Sequence, residues 1–297
     1  MSHAVNFSGI WVPLVTPFDV DNTVDHRSLA GLVESLVDAE IAGLVVCGTT
    51  GEPSALNEAE KAGVLETVLR HCNGLPVVMG VSGMTAVDVC TQVQRWQTES
   101  IAGFLVPPPY YVRPTQRGIV DFYATIASET QLPLIVYDIP YRTGVTLQLD
   151  TLRRVADISN IRAIKDCGGD ARKTQALIAD GRLQVLAGED HLIFTTLCQG
   201  GAGAIAASAH LHPHLFVAMY RAICAGQWQI ARRLHHSLAP LIESLFVEPN
   251  PAPLKAALAG LGKIQNQLRP PLLRASDATL QAATAAYSAE PLKCGDV

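Results

Sequence analysis

The sequence predicts an α/β protein, a (β/α)8 TIM barrel followed by a C-terminal helical appendage. Short apolar runs recur along the chain, the segments between them are amphipathic and carry helix-start signals, and the alternation completes eight cycles before the pattern becomes wholly helical. Continuous apolar strands separated by helices are buried on both faces, as in a parallel sheet. Eight such units suit closure into a barrel better than an open sheet. A dinucleotide-binding open sheet would also want GxGxxG after its first strand, and none is there.

The strands are predicted at 10–15, 43–47, 76–80, 103–106, 134–138, 163–166, 184–187 and 204–207. Between them, Asn57 with Glu60 reads as a reciprocal helix cap, and Thr85 with Asp88 resembles one. Thr115 and Asp170 precede helical runs as N-caps. After the eighth unit, helical stretches are expected near 223–246, 252–261 and 277–288, parted by proline-rich breaks at 248–253 and 269–271. No linker or low-complexity segment interrupts the chain. Residues 1–222 are therefore assigned to the barrel, which carries the active site, and 223–297 to the appendage.

A length of 297 residues accommodates one barrel of about 250 with such an appendage. Hydrophobic content of 48% against 16% charged residues describes a well-buried core and excludes a disordered or fibrous chain. The net charge of −5 and the scattered basic residues give no patch for nucleic acid or for an anionic membrane. The N-terminus lacks the layout of a signal peptide, and no apolar run approaches the roughly 18 residues of a spanning helix. A soluble, cytoplasmic protein is expected. The seven cysteines (Cys47, Cys72, Cys90, Cys167, Cys198, Cys224 and Cys294) are odd in number and show no CxxC spacing, so they are expected to be reduced and mostly in the core.

Chemistry in a parallel barrel belongs to the carboxyl ends of the strands. After strand two, Gly48-Thr49-Thr50-Gly51-Glu52 offers hydroxyls and backbone N–H groups in a tight turn, suited to a carboxylate or a proton relay; an ordinary capped turn explains it equally well. After strand four, three prolines stiffen a loop presenting Tyr110 and Tyr111, which could equally be packing residues at an interface. Strand five ends at Tyr137, a phenol able to pass a proton, followed by Arg142, a guanidinium able to clamp a carboxylate. Strand six delivers Lys165 within Ile161-Arg162-Ala163-Ile164-Lys165-Asp166-Cys167. Burial disfavours the ammonium and exposes an amine that can condense with a ketone, whereas a strand-end lysine could also snorkel to water or pair with Asp166. Recurrence of amine, phenol, hydroxyl and guanidinium at successive strand ends favours the chemical role.

Other polar residues are read as structural. His210, His212 and His214 have ligand-like spacing, but Pro213 interrupts it and no carboxylates accompany them, so no metal site is assigned. Gly200, Gly201 and Gly203 precede strand eight, at the wrong end for a phosphate loop. Lys255 is expected on a solvated or subunit-facing side of a C-terminal helix.

In combination, GTTGE at 48–52, Tyr110-Tyr111-x-Arg113-Pro114 and Tyr137-x-x-Pro140-x-Arg142-Thr143-Gly144 resemble the dihydrodipicolinate synthase/N-acetylneuraminate lyase family of class I aldolases. The resemblance runs from Thr16-Pro17-Phe18 to Phe246-Val247-Glu248-Pro249-Asn250-Pro251. It implies that Lys165 forms an imine with pyruvate and that Thr49, Tyr137 and Tyr111 relay protons, Tyr111 reaching into a neighbouring subunit's site. It further implies that Thr50, with Thr49, meets the pyruvate carboxylate, that Ile205 offers a backbone carbonyl near the lysine, and that Gly188 lines the substrate site. Members using aspartate semialdehyde carry an arginine at the place of Arg142; those acting on sugar acids usually lack it. The implied activity is therefore condensation of pyruvate with aspartate semialdehyde, in lysine and diaminopimelate biosynthesis, by a cofactor-free homotetramer built as a dimer of dimers. Another pyruvate-dependent aldolase, a keto-deoxy-sugar-acid dehydratase and, more remotely, a non-catalytic keto-acid-binding regulator are the alternatives.

The chain departs from the family pattern at three places. Asp138 stands where asparagine is common, adding a charge expected beside Tyr137. The strand-four loop has Pro107-Pro108-Pro109 where Thr-Pro is usual. Glu58, Lys61 and Met84 stand where lysine-inhibited members offer histidines and an asparagine, so feedback by lysine is expected to be weak or absent.

Overall fold

The computed structural model describes residues 5–288. Eight parallel strands, β1 (Gly9–Pro13), β2 (Gly43–Val46), β3 (Val77–Gly80), β4 (Gly103–Val106), β5 (Leu134–Asp138), β6 (Ile161–Asp166), β7 (Gln184–Ala187) and β8 (Gly203–Ile205), follow in chain order around a closed barrel. The fold is the one predicted, and strand ends differ from expectation by no more than two residues. Gly203, expected ahead of strand eight, is its first residue.

By its internal contacts the chain divides into two compact units. The first comprises the N-terminal residues through Gly9 and Pro76–Ile205. It holds β3–β8 and the helices α3 (Ala86–Trp96), α4 (Gln116–Ser128), α5 (Pro140–Thr143), α6 (Leu149–Ala156), α7 (Ala171–Asp180) and α8 (Ile193–Cys198). The second comprises Ile10–Leu75 and the chain from Ala206 onward. It holds most of β1, β2, α1 (His26–Asp38), α2 (Glu58–His71), α9 (Pro213–Cys224), α10 (Trp228–Leu245), α11 (Ala252–Gly260) and α12 (Asp277–Ser288).

In the first unit the predicted N-caps form: Thr115 accepts from the Gly118 N–H and Asp170 from Arg172 and Lys173, while Thr85 accepts from the Asp88 N–H as a one-way cap, not the reciprocal one expected. Strands β5 and β6 pair with Tyr137 beside Lys165 and Asp138 beside Asp166. Side chains alternate along a strand, so these two pairs face opposite sides. The Asp138 side is the helix side. There Lys173 of α7 lies 2.5 Å from Asp138 Oδ2 and also donates to the Leu147 carbonyl, while Thr174 donates to Asp166 at 2.5 Å. The charge of Asp138 therefore does not stand beside Tyr137, as the sequence suggested; period-two geometry turns it away and Lys173 neutralises it. Burial nonetheless holds the Asp138 carboxyl above the usual carboxylate range. Gly168 is required here, since a Cβ would meet Lys173 Nζ at 2.5 Å and Asp138 Oδ2 at 2.7 Å.

In the second unit Asn57 and Glu60 close the predicted capping box at the start of α2. The helical stretch expected near 223–246 is α10, which starts five residues later than expected: α9 ends at Cys224, and Gly226, at φ +71°, turns the chain before α10 begins. Leu32, Leu241, Leu245, Leu254, Leu258, Ile264 and Ala283 form one apolar cluster that binds α10, α11 and α12 to α1. His210 is buried; its Nε2 accepts from the Val15 N–H at 3.2 Å and its Nδ1 donates to Ala207, with burial pushing its pKa down to about 4. His212 stacks on Tyr287, 4.2 Å between ring centroids. These histidines are thus occupied as structural groups.

The cysteines divide more evenly than expected. Cys47, Cys72 and Cys167 are buried and Cys90 is half-buried, but Cys198 and Cys224 are exposed at helix ends. Their apolar neighbours in sequence turn inward while they turn outward, which a linear apolar run does not reveal. Cys294 lies outside the described residues. No helix among the described residues is long and apolar enough to cross a membrane.

Candidate active site

The first unit places Lys165 at the carboxyl end of β6, 6% exposed. Its Nζ stands 4.4 Å from the ring centroid of Tyr137, which is itself buried at the end of β5. No carboxylate lies within ion-pair distance of Lys165 among the described residues, so it neither snorkels nor pairs with Asp166, which is engaged by Thr174 and the Gly168 N–H. Burial holds the lysine below its ordinary pKa, and the nearby Arg142 pushes the same way; Cys167, Asp190 and Glu189 oppose them. An amine in this setting is biased toward its neutral, nucleophilic form.

The surrounding strand ends complete this group. Gly188, just beyond β7, presses so close that a Cβ there would meet Cys167 Sγ at 2.3 Å and Lys165 Cγ at 2.9 Å. Ile205 closes β8 and is buried. Beyond β5, the one-turn helix α5 ends at Gly144 in the left-handed conformation, and Thr143 donates back to the Ile139 carbonyl at 3.1 Å. Arg142 rides on this turn, exposed, its guanidinium 5.7 Å from the ring centroid of Tyr141. It makes no ion pair among the described residues, so it is not consumed in tying the loop to an acid. Tyr141 donates to Glu189 Oε1 at 3.1 Å, linking the loop of Arg142 to the end of β7. Tyr111 sits at φ +69° in the proline-rich loop after β4 and is 84% exposed.

The second unit presents the Thr49-Thr50 turn. Residues Thr49–Gly51 form a 3-10 turn at the end of β2, closed by Glu52 at φ 53°, ψ 45°. Thr50 is buried, and its Oγ1 accepts from Asn250 Nδ2 at 3.0 Å. Cys47, also left-handed at φ 53°, is buried beneath the turn with its thiol pushed up to about 12. The Glu52 carboxylate is buried against Lys255, 2.5 Å away. The expectation of a surface role for Lys255 is overturned: it is fully buried in α11, because Glu52 supplies the counter-charge that makes burial of its ammonium tolerable.

The first unit thus gathers Lys165, Tyr137, Gly188, Ile205, Arg142 and Tyr111 on its strand ends or the loops that follow them, and the second carries Thr49 and Thr50 at the end of its own β2. Sequence reasoning missed Glu189, Asp190 and Asn250. The first two directly follow Gly188 at a strand end, which was a usable signal; Asn250 lay in a proline-rich break with no chemical pattern around it. Among the described residues no group of three or more histidine, cysteine or acidic side chains could hold a metal ion.

The chain is similar to known proteins over nearly its whole length. The sequence profile of the dihydrodipicolinate synthetase family matches residues 6–290. The 4-hydroxy-tetrahydrodipicolinate synthase of Parabacteroides distasonis is 36% identical over 273 residues, covering 91% of this chain and 92% of the relative. The crystal structure of dihydrodipicolinate synthase from Thermotoga maritima superposes with a TM-score of 0.92 at 32% identity, covering 95% of this chain and 98% of that one. A chloride-inhibited dihydrodipicolinate synthase from Acinetobacter baumannii, solved in complex with pyruvate, gives 0.91 at 33% identity, over 94% of this chain and 98% of that one. With a family profile spanning nearly the whole sequence and relatives matched end to end above 30% identity, the chain belongs to the dihydrodipicolinate synthetase family.

Proposed function

We propose that this chain is a lyase-class enzyme that condenses pyruvate with L-aspartate 4-semialdehyde to 4-hydroxy-tetrahydrodipicolinate, in lysine and diaminopimelate biosynthesis. The observation that carries the chemistry is Lys165: a buried amine with no carboxylate at ion-pair distance among the described residues, 4.4 Å from a phenol ring at the carboxyl end of a barrel strand. The names of the relatives support the substrates, and Arg142, without an ion pair among the described residues, supports an electrophile bearing a carboxylate.

In this reading Lys165 Nζ attacks C2 of pyruvate, and the adduct loses water to give an imine. A proton then leaves C3 and passes through the Tyr137–Thr49–Tyr111 relay, with the imine nitrogen as electron sink. The enamine carbon attacks the aldehyde carbon of aspartate semialdehyde, whose oxygen takes up a proton. The amine of the newly joined substrate next attacks C2, displacing Lys165 by transimination and closing the ring. Thr50 with Thr49 holds the pyruvate carboxylate, Gly188 and the Ile205 carbonyl line the ketoacid's surroundings, and Arg142 clamps the second carboxylate. Because the lysine supplies the electron sink, this sequence calls for no metal or organic cofactor.

We place the enzyme in the cytoplasm as a homotetramer, a dimer of dimers in which Tyr111 enters the neighbour's site. The exposure of Tyr111 on a proline-stiffened loop supports that role; sedimentation velocity tests it, and a monomer with full turnover would remove it.

Borohydride reduction in the presence of pyruvate tests the chemistry directly. A mass increment on the peptide bearing Lys165 is expected, and its absence would overturn the Schiff-base mechanism. A coupled assay over several electrophiles tests the substrate. Aspartate semialdehyde should turn over fastest; preference for a sugar-acid or 4-hydroxy-2-oxoglutarate substrate would reassign the enzyme within its family.

A further inference from the structure

The Thr49-Thr50 turn has little of its own to hold it. Its backbone hydrogen bonds are Gly51 N–H to Gly48 at 2.9 Å and Glu52 N–H to Thr49 at 3.2 Å, and Thr16 adds a hydroxyl bond to the Gly51 carbonyl at 2.7 Å. The turn closes on Glu52 in the left-handed region, a conformation that a residue with a full side chain seldom adopts unless its surroundings impose it.

Those surroundings come from a distant part of the chain. Glu52 Oε1 accepts from Lys255 Nζ at 2.5 Å, and Glu52 Oε2 accepts from the Arg269 backbone N–H at 3.2 Å. Both side chains of the ion pair are buried, at 0% and 1% exposure. Lys255 Nζ and the Arg269 guanidinium each lie 4.3 Å from the ring centroid of Phe18, and Arg269 reaches on to both oxygens of Glu60. Both carboxylate oxygens of Glu52 are therefore held, from two separate points of the C-terminal segment. A third tether comes from Asn250, just before α11, whose amide donates to Thr50 Oγ1. A hydroxyl that accepts from an amide keeps its own O–H free to donate elsewhere. In Thr50 that proton is the group suited to a carboxylate.

We propose that Lys255 is a positioning residue for the reaction: through its buried pair with Glu52 it sets the Thr49-Thr50 turn in the geometry that receives the pyruvate carboxylate and passes the C3 proton. The C-terminal helical segment thereby serves as a brace for one catalytic turn, in addition to packing on α1. This inference rests on the functional reading given above.

The full-length Lys255→Met variant tests it, with rates expressed per competent site as titrated by borohydride trapping at saturating pyruvate. A purely structural loss would lower the number of competent sites and leave the rest behaving normally. The positioning role predicts that each remaining site has a KM for pyruvate raised about tenfold, with deuterium exchange at the pyruvate methyl slowed by a similar factor. Per-site KM and exchange within twofold of the parent enzyme would overturn the proposal. Should Lys255→Met fail to fold, Glu52→Gln examines the same brace, because an amide nitrogen at Oε2 would face the Arg269 N–H donor to donor. The same pattern is expected in weaker form, and parental KM and exchange in that folded variant would equally overturn it. Failure of the parent enzyme to trap pyruvate would instead defeat the Schiff-base reading, so the two failures are distinguishable.

Discussion

Lys165 and Lys255 are both buried lysines, one at the end of β6 and the other inside α11, yet they are opposites chemically. Lys255 has a carboxylate oxygen at 2.5 Å, while Lys165 has an aromatic ring at 4.4 Å and, among the described residues, no counter-ion. Lys173, beneath the same strands as Lys165, belongs with Lys255, being paired with Asp138. Burial alone therefore does not mark a reactive amine. Taking an ammonium out of water costs several kcal/mol, and a lysine meets that cost either by pairing, which keeps its charge and makes it a structural tie, or by giving up its proton, which makes it a nucleophile.

Substitution should separate the two kinds of lysine. Lys165→Met is expected to abolish borohydride trapping of pyruvate and to lower turnover by at least ~10³-fold. Its thermal midpoint should not fall, since a thioether of similar length removes an uncompensated buried amine; a large loss of stability would show that Lys165 had a structural partner after all. Lys255→Met should do the reverse, costing ~3–5 kcal/mol of folding free energy by stranding the Glu52 carboxylate. Adding Glu52→Gln should recover much of that loss, and denaturant unfolding of the single and double variants would measure the coupling.

Effects on Lys165 from outside its immediate contacts come next in size. Arg142→Ala should raise the KM for aspartate semialdehyde about 10–100-fold, from loss of ~1.5–3 kcal/mol of charged hydrogen bonding, with the KM for pyruvate little changed. The guanidinium also holds the Lys165 pKa down. Without it the folded-state pKa rises, the neutral amine needs a higher pH, and the acidic limb of imine formation moves upward. Glu189 acts with the opposite sign, so Glu189→Gln should move that limb downward. Stopped-flow rates of imine formation across pH would show both; movement of the two variants in the same direction would contradict the electrostatic account.

How far these features were legible in the sequence depended on their range. The eight strands could be read because a strand buried on both faces is a continuous apolar run, and the cap at Asn57 because its partner Glu60 is three residues away. Lys165 stood out for the same local reason, as a charge within an apolar run. The brace did not: Glu52 and Lys255 are separated by 203 residues, and nothing near Lys255 announces the carboxylate that lets it be buried. Asp138 was visible, but its direction was not, because its role follows from which face of β5 it occupies and from Lys173 on a later helix. Local patterns pointed to the amine proposed to react, whereas the ties that pair the other buried lysines are tertiary and became visible only in the folded chain.

The smallest expected effect concerns free lysine, for which the family resemblance assigns roles to the sequence positions held here by Glu58, Lys61 and Met84. Here Lys61 is bound to Glu58 at 2.8 Å, one turn apart at the start of α2. An incoming lysine would place its ammonium groups against an amine already present and would compete for a carboxylate already engaged. Met84 is exposed and offers a thioether where an amide would donate and accept. Like charge and lost hydrogen bonding act in the same direction, so the initial rate should stay within experimental scatter at micromolar lysine. Inhibition at that concentration would mean that the lysine-binding surface is built from other residues. Replacing Lys61 by histidine and Met84 by asparagine should introduce weak inhibition if these two positions carry the insensitivity, and a double variant as insensitive as the parent would show that they do not.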